Sequence, residues 1–192
     1  MRQATNQDKE KVIDIISEAF KDNARVNWVV KQDGKKQQRI RELIRYAFET
    51  VFPRNGVFIS SNEKAVALCY RMNLKPNSLY DYYIKLRLGI KSMSPERISY
   101  VMKRQSAISA QRPSDGNYFY FWFLAVEKEE RGRGAGWELS HHMFEMSRKE
   151  KIPILAETSD ERTCRIYQRF GFTLYNTFEK YHIKIYLLMW KP

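Results

Sequence analysis

The stretch 117–150, NYFYFWFLAVEKEERGRGAGWELSHHMFEMSRKE, decides how this chain is read. Its first ten residues, Asn117 to Val126, are aromatic and apolar almost without interruption. That predicts a strand buried on both faces, with Phe121, Trp122 and Phe123 as core residues. The turn Arg131-Gly132-Arg133-Gly134-Ala135-Gly136 follows, and then Leu139, Met143 and Met146 fall at helical spacing, predicting a helix over about 134–149. A helix start offers amide N–H groups with no intrahelical acceptor and the positive end of the helix dipole. Glycines let the backbone approach a ligand and adopt positive φ. Two arginines add fixed positive charge suited to phosphate. Together these features fit a phosphate cradle, most naturally for a pyrophosphate. A turn that merely joins strand to helix fits the same six residues. A P-loop is excluded, because Gly136 is followed by Trp137-Glu138 and not by Lys-Ser/Thr. A dinucleotide fingerprint needs a third glycine where Trp137 stands, and no strand-borne acid follows at the right distance.

Outward from this unit the chain alternates strands and helices. Toward the N-terminus a short strand precedes a helix opened by Thr5 or Asn6, with Asp8 completing a capping box. That helix carries Val12, Ile15, Ile16, Ala19 and Phe20 on one face. A second helix has Ile40, Leu43, Ile44, Ala47, Phe48 and Val51 on one stripe and stops at Pro53. A hairpin follows, GVFIS (56–60) and AVALCYR (65–71), with Ser61 and Asn62 in its turn. Ser78 with Asp81, and then Ser94-Pro95-Glu96, start two more helices, in which Tyr80, Tyr82, Tyr83 and Tyr100 read as builders of an amphipathic core. Toward the C-terminus come a strand at 153–157, a helix at 161–170 ending at Gly171, and strands at 172–178 and 181–190. The expected fold class is α/β (α+β), with one mixed, mostly antiparallel sheet flanked by helices.

Composition bounds the function. The 192 residues suit one domain with a sizeable core, and a 43% hydrophobic content argues against disorder. No run approaches the ~18 apolar residues of a membrane span. The N-terminus is charged and lacks the apolar core of a signal peptide. Two cysteines, Cys69 and Cys164, are too few for a disulfide scaffold. A cytoplasmic domain without a membrane partner is the expectation. The net charge of +12 points to an anionic partner. Between Lys75 and Arg112, eight cations oppose Asp81 and Glu96, so this segment alone carries 8 − 2 = +6. A solvated helical face explains that charge as well as a nucleic-acid site does, and no nucleic-acid motif accompanies it. His141 and His142 are adjacent, so they face different sides of a helix and make no metal site together.

Arg131-x-x-Gly134-x-Gly136 resembles the Gln/Arg-x-x-Gly-x-Gly/Ala signature of the GNAT acyltransferase superfamily, as do the preceding FLAV (123–126) and the following helix. ETSDERTCRIYQRFGF (157–172) resembles that family's second motif, with Tyr167 and then Gly171-Phe172 in place. Asp160 stands where the family often has Asn. The two motifs occupy about 117–178. The resemblance implies one GNAT-like domain over 1–192, with a variable helical insertion at about 75–112. It also implies an acetyl-CoA-dependent N-acetyltransferase, which moves an acetyl group to a primary amine of a small molecule or protein by direct attack in a ternary complex, its partner a small-molecule or peptide amine. By the same resemblance, the backbone of Leu124, Ala125 and Val126 pairs with the pantetheine arm and supplies the oxyanion donor near Val126. The amides of Gly132, Arg133, Gly134, Ala135, Gly136 and Trp137 hold the pyrophosphate, with Arg131 and Arg133 screening its charge.

Tyr167 is implied as the acid that protonates the leaving thiolate; without the resemblance it reads as a half-buried helix aromatic. Glu157 at a strand end is a candidate base, with Asp160 behind it, although Asp160 also suits a helix cap and Glu157 a surface carboxylate. The first helices, the basic segment and the final strands are expected to wall the acceptor pocket, and a homodimer is compatible with the reading. A catalytically idle acyl-CoA sensor is the alternative, and a basic nucleic-acid module a more distant one.

Overall fold

Local chemistry marks the start of several helices. In the computed structural model, which describes residues 1–74, 78–180 and 183–192, Thr5 and Asp8 form the capping box at a short 3-10 turn that leads into α1 (Lys9–Phe20). Asn23 accepts from the Arg25 and Val26 amides and opens α2 (Ala24–Val29). The second amphipathic stripe is α3 (Lys36–Val51), which gives way to a 3-10 turn holding Pro53. Ser78 and Asp81 cap α4 (Leu79–Ser92), and Ser94 precedes α5 (Pro95–Ser109). The remaining helices are α6 (Ala135–Glu150) and α7 (Glu161–Arg169).

The strands are β1 (Arg2–Gln3), β2 (Val57–Ile59), β3 (Ala65–Arg71), β4 (Phe119–Val126), β5 (Ile154–Thr158), β6 (Thr173–Lys180) and β7 (Ile183–Trp190). Among the described residues they form one seven-stranded sheet in the order β1-β2-β3-β4-β5-β7-β6. The β4–β5 pair is parallel and the others are antiparallel. The expected mixed, mostly antiparallel sheet flanked by helices is therefore the observed one. Lys75, and residues 181–182 of the expected last strand, lie outside the described residues.

The sheet is covered on both sides. Val66, Leu68 and Tyr70 of β3 join α1 and α3 residues in one core, whereas the alternate Ala65, Ala67 and Cys69 join α6 residues in a second. This is the period-2 alternation of a doubly buried strand.

Three features differ from the sequence reading. First, β4 is interrupted. Leu68 pairs with Phe123 and Cys69 with Phe121, so Trp122 is bulged out of register. The bulge turns both Trp122 and Phe123 toward the α1–α3 side. Both are only half-buried, while Phe121 is core. Second, Tyr80, Tyr82, Tyr83 and Tyr100 are exposed. In α4 the inward side chains are Ile84 and Leu88, so these tyrosines are not core builders. Third, the strand at β4 is buried on both faces only over Phe119–Phe121. No helix among the described residues is long and apolar enough to cross a membrane.

Candidate acyl-transfer site

The sheet opens where its two parallel strands meet. β4 pairs with β5 through Phe119, Tyr120 and Phe121, opposite Ile154, Leu155 and Ala156, and no further. β4 nevertheless runs on to Val126, held on its other side by β3 as far as the Ala65–Val126 pair. From Trp122 to Val126 the β4 edge facing β5 thus has no strand partner among the described residues. Such an edge offers amide donors and carbonyl acceptors to an extended ligand. Leu124, Ala125 and Val126 lie on it.

The glycine turn sits at the end of that edge. Gly132 and Gly134 have φ of +81° and +97°, a region that side chains disfavour, and a Cβ built on either would meet nothing within 4 Å. The turn is open and demands glycine for its backbone. Gly134 is the N-cap of α6, and no side chain caps the helix. The Arg133 amide donates to the Glu130 carbonyl at 3.3 Å, which removes it from the expected set. Among the described residues, the amides of Gly132, Gly134, Ala135, Gly136 and Trp137 have no acceptor within the protein. Gly136 has a separate reason to be glycine: its Cβ would come 3.3 Å from Val126 Cγ2, so it sets the close approach of α6 to β4. Arg131 reaches the Val126 carbonyl at 3.5 Å. Arg133 is exposed and paired with Glu130 at 3.1 Å. The ring of Trp137 lies edge-on to Phe170.

A continuous cleft of ≈ 1720 Å³ links this end of β4 to the space beneath α1, α2 and α5. Leu124, Val126, Arg131 and Tyr167 line one part, and Trp28, Arg104 and Tyr118 the other. The first helices and the basic segment do wall it. The final strands contribute no lining residue among those described; instead Tyr175 and Asn176 of β6 bond Gln111 and fasten the end of α5.

Tyr167 stands on α7 against Phe121 and Phe172, with ring centroids at 6.2 and 5.1 Å. Burial pushes its phenol up to about 12, so the group stays protonated through the working range of an enzyme. Cys164, on the same helix, is buried.

The Glu157 side chain is 1% exposed and not a free carboxylate. Its Oε1 accepts from Arg112 Nε at 2.6 Å, and its Oε2 accepts from Arg25 at 3.3 Å and from the Tyr120 hydroxyl at 3.2 Å. Arg112 also donates to the Tyr120 oxygen at 3.1 Å. Burial alone would raise the Glu157 pKa, but the Arg112 and Arg25 charges outweigh it and hold the group below the ordinary carboxylate range. A carboxylate so held is a weak proton acceptor, and its geometry is that of an anchor for two arginines and a tyrosine. Asp160 accepts from the Thr163 amide at 2.8 Å and serves as the α7 cap. Sequence reasoning missed Arg25, Arg112 and Tyr120. They are separated from Glu157 by 132, 45 and 37 positions, and no local motif marks such partners. Arg104, buried in the cleft wall, was visible only as one of the basic residues of 75–112.

Comparison with known proteins agrees with the fold. Residues 96–174 match the profile of the family described as acetyltransferase (GNAT) domain. Among solved structures, the chain is similar to a histone acetyltransferase HPA2 and related acetyltransferase from Corynebacterium glutamicum, with a TM-score of 0.71 and 22% identity, over 100% of this chain and 94% of the other. It is similar to arylalkylamine N-acetyltransferase 2 from Aedes aegypti, with a TM-score of 0.67 and 15% identity, over 99% and 97% of the two chains. A polyamine N-acetyltransferase of Drosophila melanogaster gives a TM-score of 0.60 at 14% identity, over 100% and 98%.

Proposed function

We propose that this chain, whose residues 96–174 match the profile of the acetyltransferase (GNAT) domain family, is an N-acetyltransferase that moves the acetyl group of acetyl-CoA to a primary amine by direct attack within a ternary complex. One observation carries the reading. The uncapped α6 start, with five amides lacking an acceptor at an open glycine turn, lies at the end of the strand-free edge of β4. The donor supplies an activated acetyl thioester. The amides of Gly132, Gly134, Ala135, Gly136 and Trp137 hold its pyrophosphate at the positive end of the helix, and Arg131 screens the charge. Leu124, Ala125 and Val126 receive the pantetheine arm as an added strand.

The amine nitrogen bonds the acetyl carbon as the carbon–sulfur bond breaks; the nitrogen loses one proton and the sulfur gains one. A backbone N–H near Val126 faces the oxygen where charge develops, a contact worth about 3–4 kcal/mol in comparable sites. Tyr167 is the proton donor to sulfur. Glu157 is a positioning residue: it fixes Arg112, Arg25 and Tyr120 in the acceptor wall, and the amine's proton leaves to bulk solvent. One cleft is lined both by Leu124 and Val126 of β4 and by Glu157 and Arg112 of the acceptor wall, and an arrangement in which donor and acceptor share one cleft supports direct attack.

The test is thiol release from acetyl-CoA across amino acids, polyamines, arylalkylamines and peptides. Turnover of any amine with first-order dependence on enzyme is expected. Tight CoA binding with no turnover on any of them would favour an acyl-CoA sensor.

A further inference from the structure

Among the described residues, Arg104 is a cation without a counter-ion. It projects from α5, lines the cleft and is 4% exposed. Its guanidinium lies 4.0 Å over the ring of Trp28, a contact that orients it without neutralising it. Among the described residues it makes no ion pair, and its Nη1 is buried with no hydrogen-bond acceptor. Burial, and then the positive charge of Arg25, pull its pKa down to about 10, so it is still charged at neutral pH. A buried charge of this kind opposes folding unless something compensates it.

The neighbouring groups do not supply the compensation. Glu157 is shared by Arg25 and Arg112. Arg25, Arg104 and Arg112 against Glu157 leave this wall at 3 − 1 = +2. The acids elsewhere along the cleft are committed or open to water. Asp14 pairs with Arg41, Glu18 with Lys21 and Glu127 with Lys64. Asp160 caps α7, and Asp22 is exposed.

We propose that the acceptor amine carries an anionic group, carboxylate or phosphate, that is received by Arg104 with Arg25 at the α5 end of the cleft, and that this pairing sets acceptor specificity. The proposal rests on the acetyl-transfer reading for the identity of the ligand as an amine. A guanidinium fork matches the oxygens of either anion. Trp28 against the guanidinium, and Tyr118 lining the same cleft, give the acceptor's body an aromatic wall. A neutral amine in the same place would leave the guanidinium unpaired.

The experiment compares matched acceptors in the thiol-release assay and by calorimetry: phenylalanine with phenethylamine, β-alanine with its amide, and O-phosphoethanolamine with ethanolamine. The anionic member of at least one pair is expected to exceed its neutral partner in kcat/KM by at least about tenfold, the scale of one charge-assisted hydrogen bond. The carboxylate and phosphate pairs tell the two anions apart. Arg104→Met should remove most of that advantage through KM, leave the Kd for acetyl-CoA within about threefold, and melt no lower than wild type. Arg104→Gln serves if Arg104→Met does not fold. Neutral members that match or exceed the anionic ones in every pair overturn the proposal, as does an anionic preference that survives in both variants. If acetyl-CoA fails to bind or no amine is turned over, the transfer reading falls separately. Calorimetry then still decides: heat with an anionic member that Arg104→Met abolishes supports the anion site, and no heat with any of them refutes it.

Discussion

Glu157 has both carboxylate oxygens engaged, by Arg112, Arg25 and Tyr120. Removing its charge therefore strands two guanidiniums in a buried wall, and breaking such a pair costs about 3–5 kcal/mol. Glu157→Gln should lower the unfolding free energy by roughly that amount in urea titrations at pH 7. The wild type should also lose stability in acid. The Arg112 and Arg25 charges hold the folded Glu157 pKa below the ordinary glutamate range, so its contribution is present above that range and vanishes as pH falls through the lower folded value. Glu157→Gln should lack this part of the acid limb. A variant of unchanged stability that loses only the pH dependence of kcat would show a base instead. Tyr167 is the opposite case, an apolar setting with its pKa near 12. Tyr167→Phe should cut kcat by about 10²-fold or more while the Kd for CoA stays within about threefold. An equal loss of both would mean a packing role. In the parent enzyme, ionisation of Tyr167 should leave kcat undiminished up to about pH 10.

The elements show how α6 and β4 shape one another. Gly136 lets α6 approach, with its virtual Cβ 3.3 Å from Val126 and 3.9 Å from Leu124. Gly136→Leu should overpack that contact and cost about 1–3 kcal/mol, read as a lowered Tm together with weaker CoA binding, because the same contact aligns the turn with the strand. The glycine turn was legible in the sequence since its chemistry is local. So were the capping pairs Thr5–Asp8 and Ser78–Asp81, where side chain and amide lie three residues apart. The bulge at Trp122 was not. An unbroken aromatic run carries no alternation in which a slipped register could be seen, and the slip is visible only against β3. The short helix α2 escaped because six residues are too few to display a helical period. The tyrosines of α4 misled for a related reason: helical spacing gives a face, and only packing decides which face turns inward.

For the whole molecule, the +12 charge is partly internal. Arg87 pairs with Glu49, Arg97 bonds the carbonyls of Trp28 and Val30, and Arg104 and Arg112 line the cleft. Much of the basic segment is therefore fastened to the protein rather than spread over a solvated face. The consequence is a molecule with two positive ends along one cleft. One is made of amides at the start of α6, and the other of guanidiniums under α5. The first bears the central claim. Gly134→Asp puts a carboxylate, and a backbone strained at φ +97°, into the proposed pyrophosphate cradle. Calorimetric titration of CoA into the wild type and this variant tests the claim most directly. The account predicts one-to-one binding to the wild type and its loss by at least about a hundredfold, ~2.7 kcal/mol, in the folded variant. CoA affinity left unchanged by Gly134→Asp would contradict it.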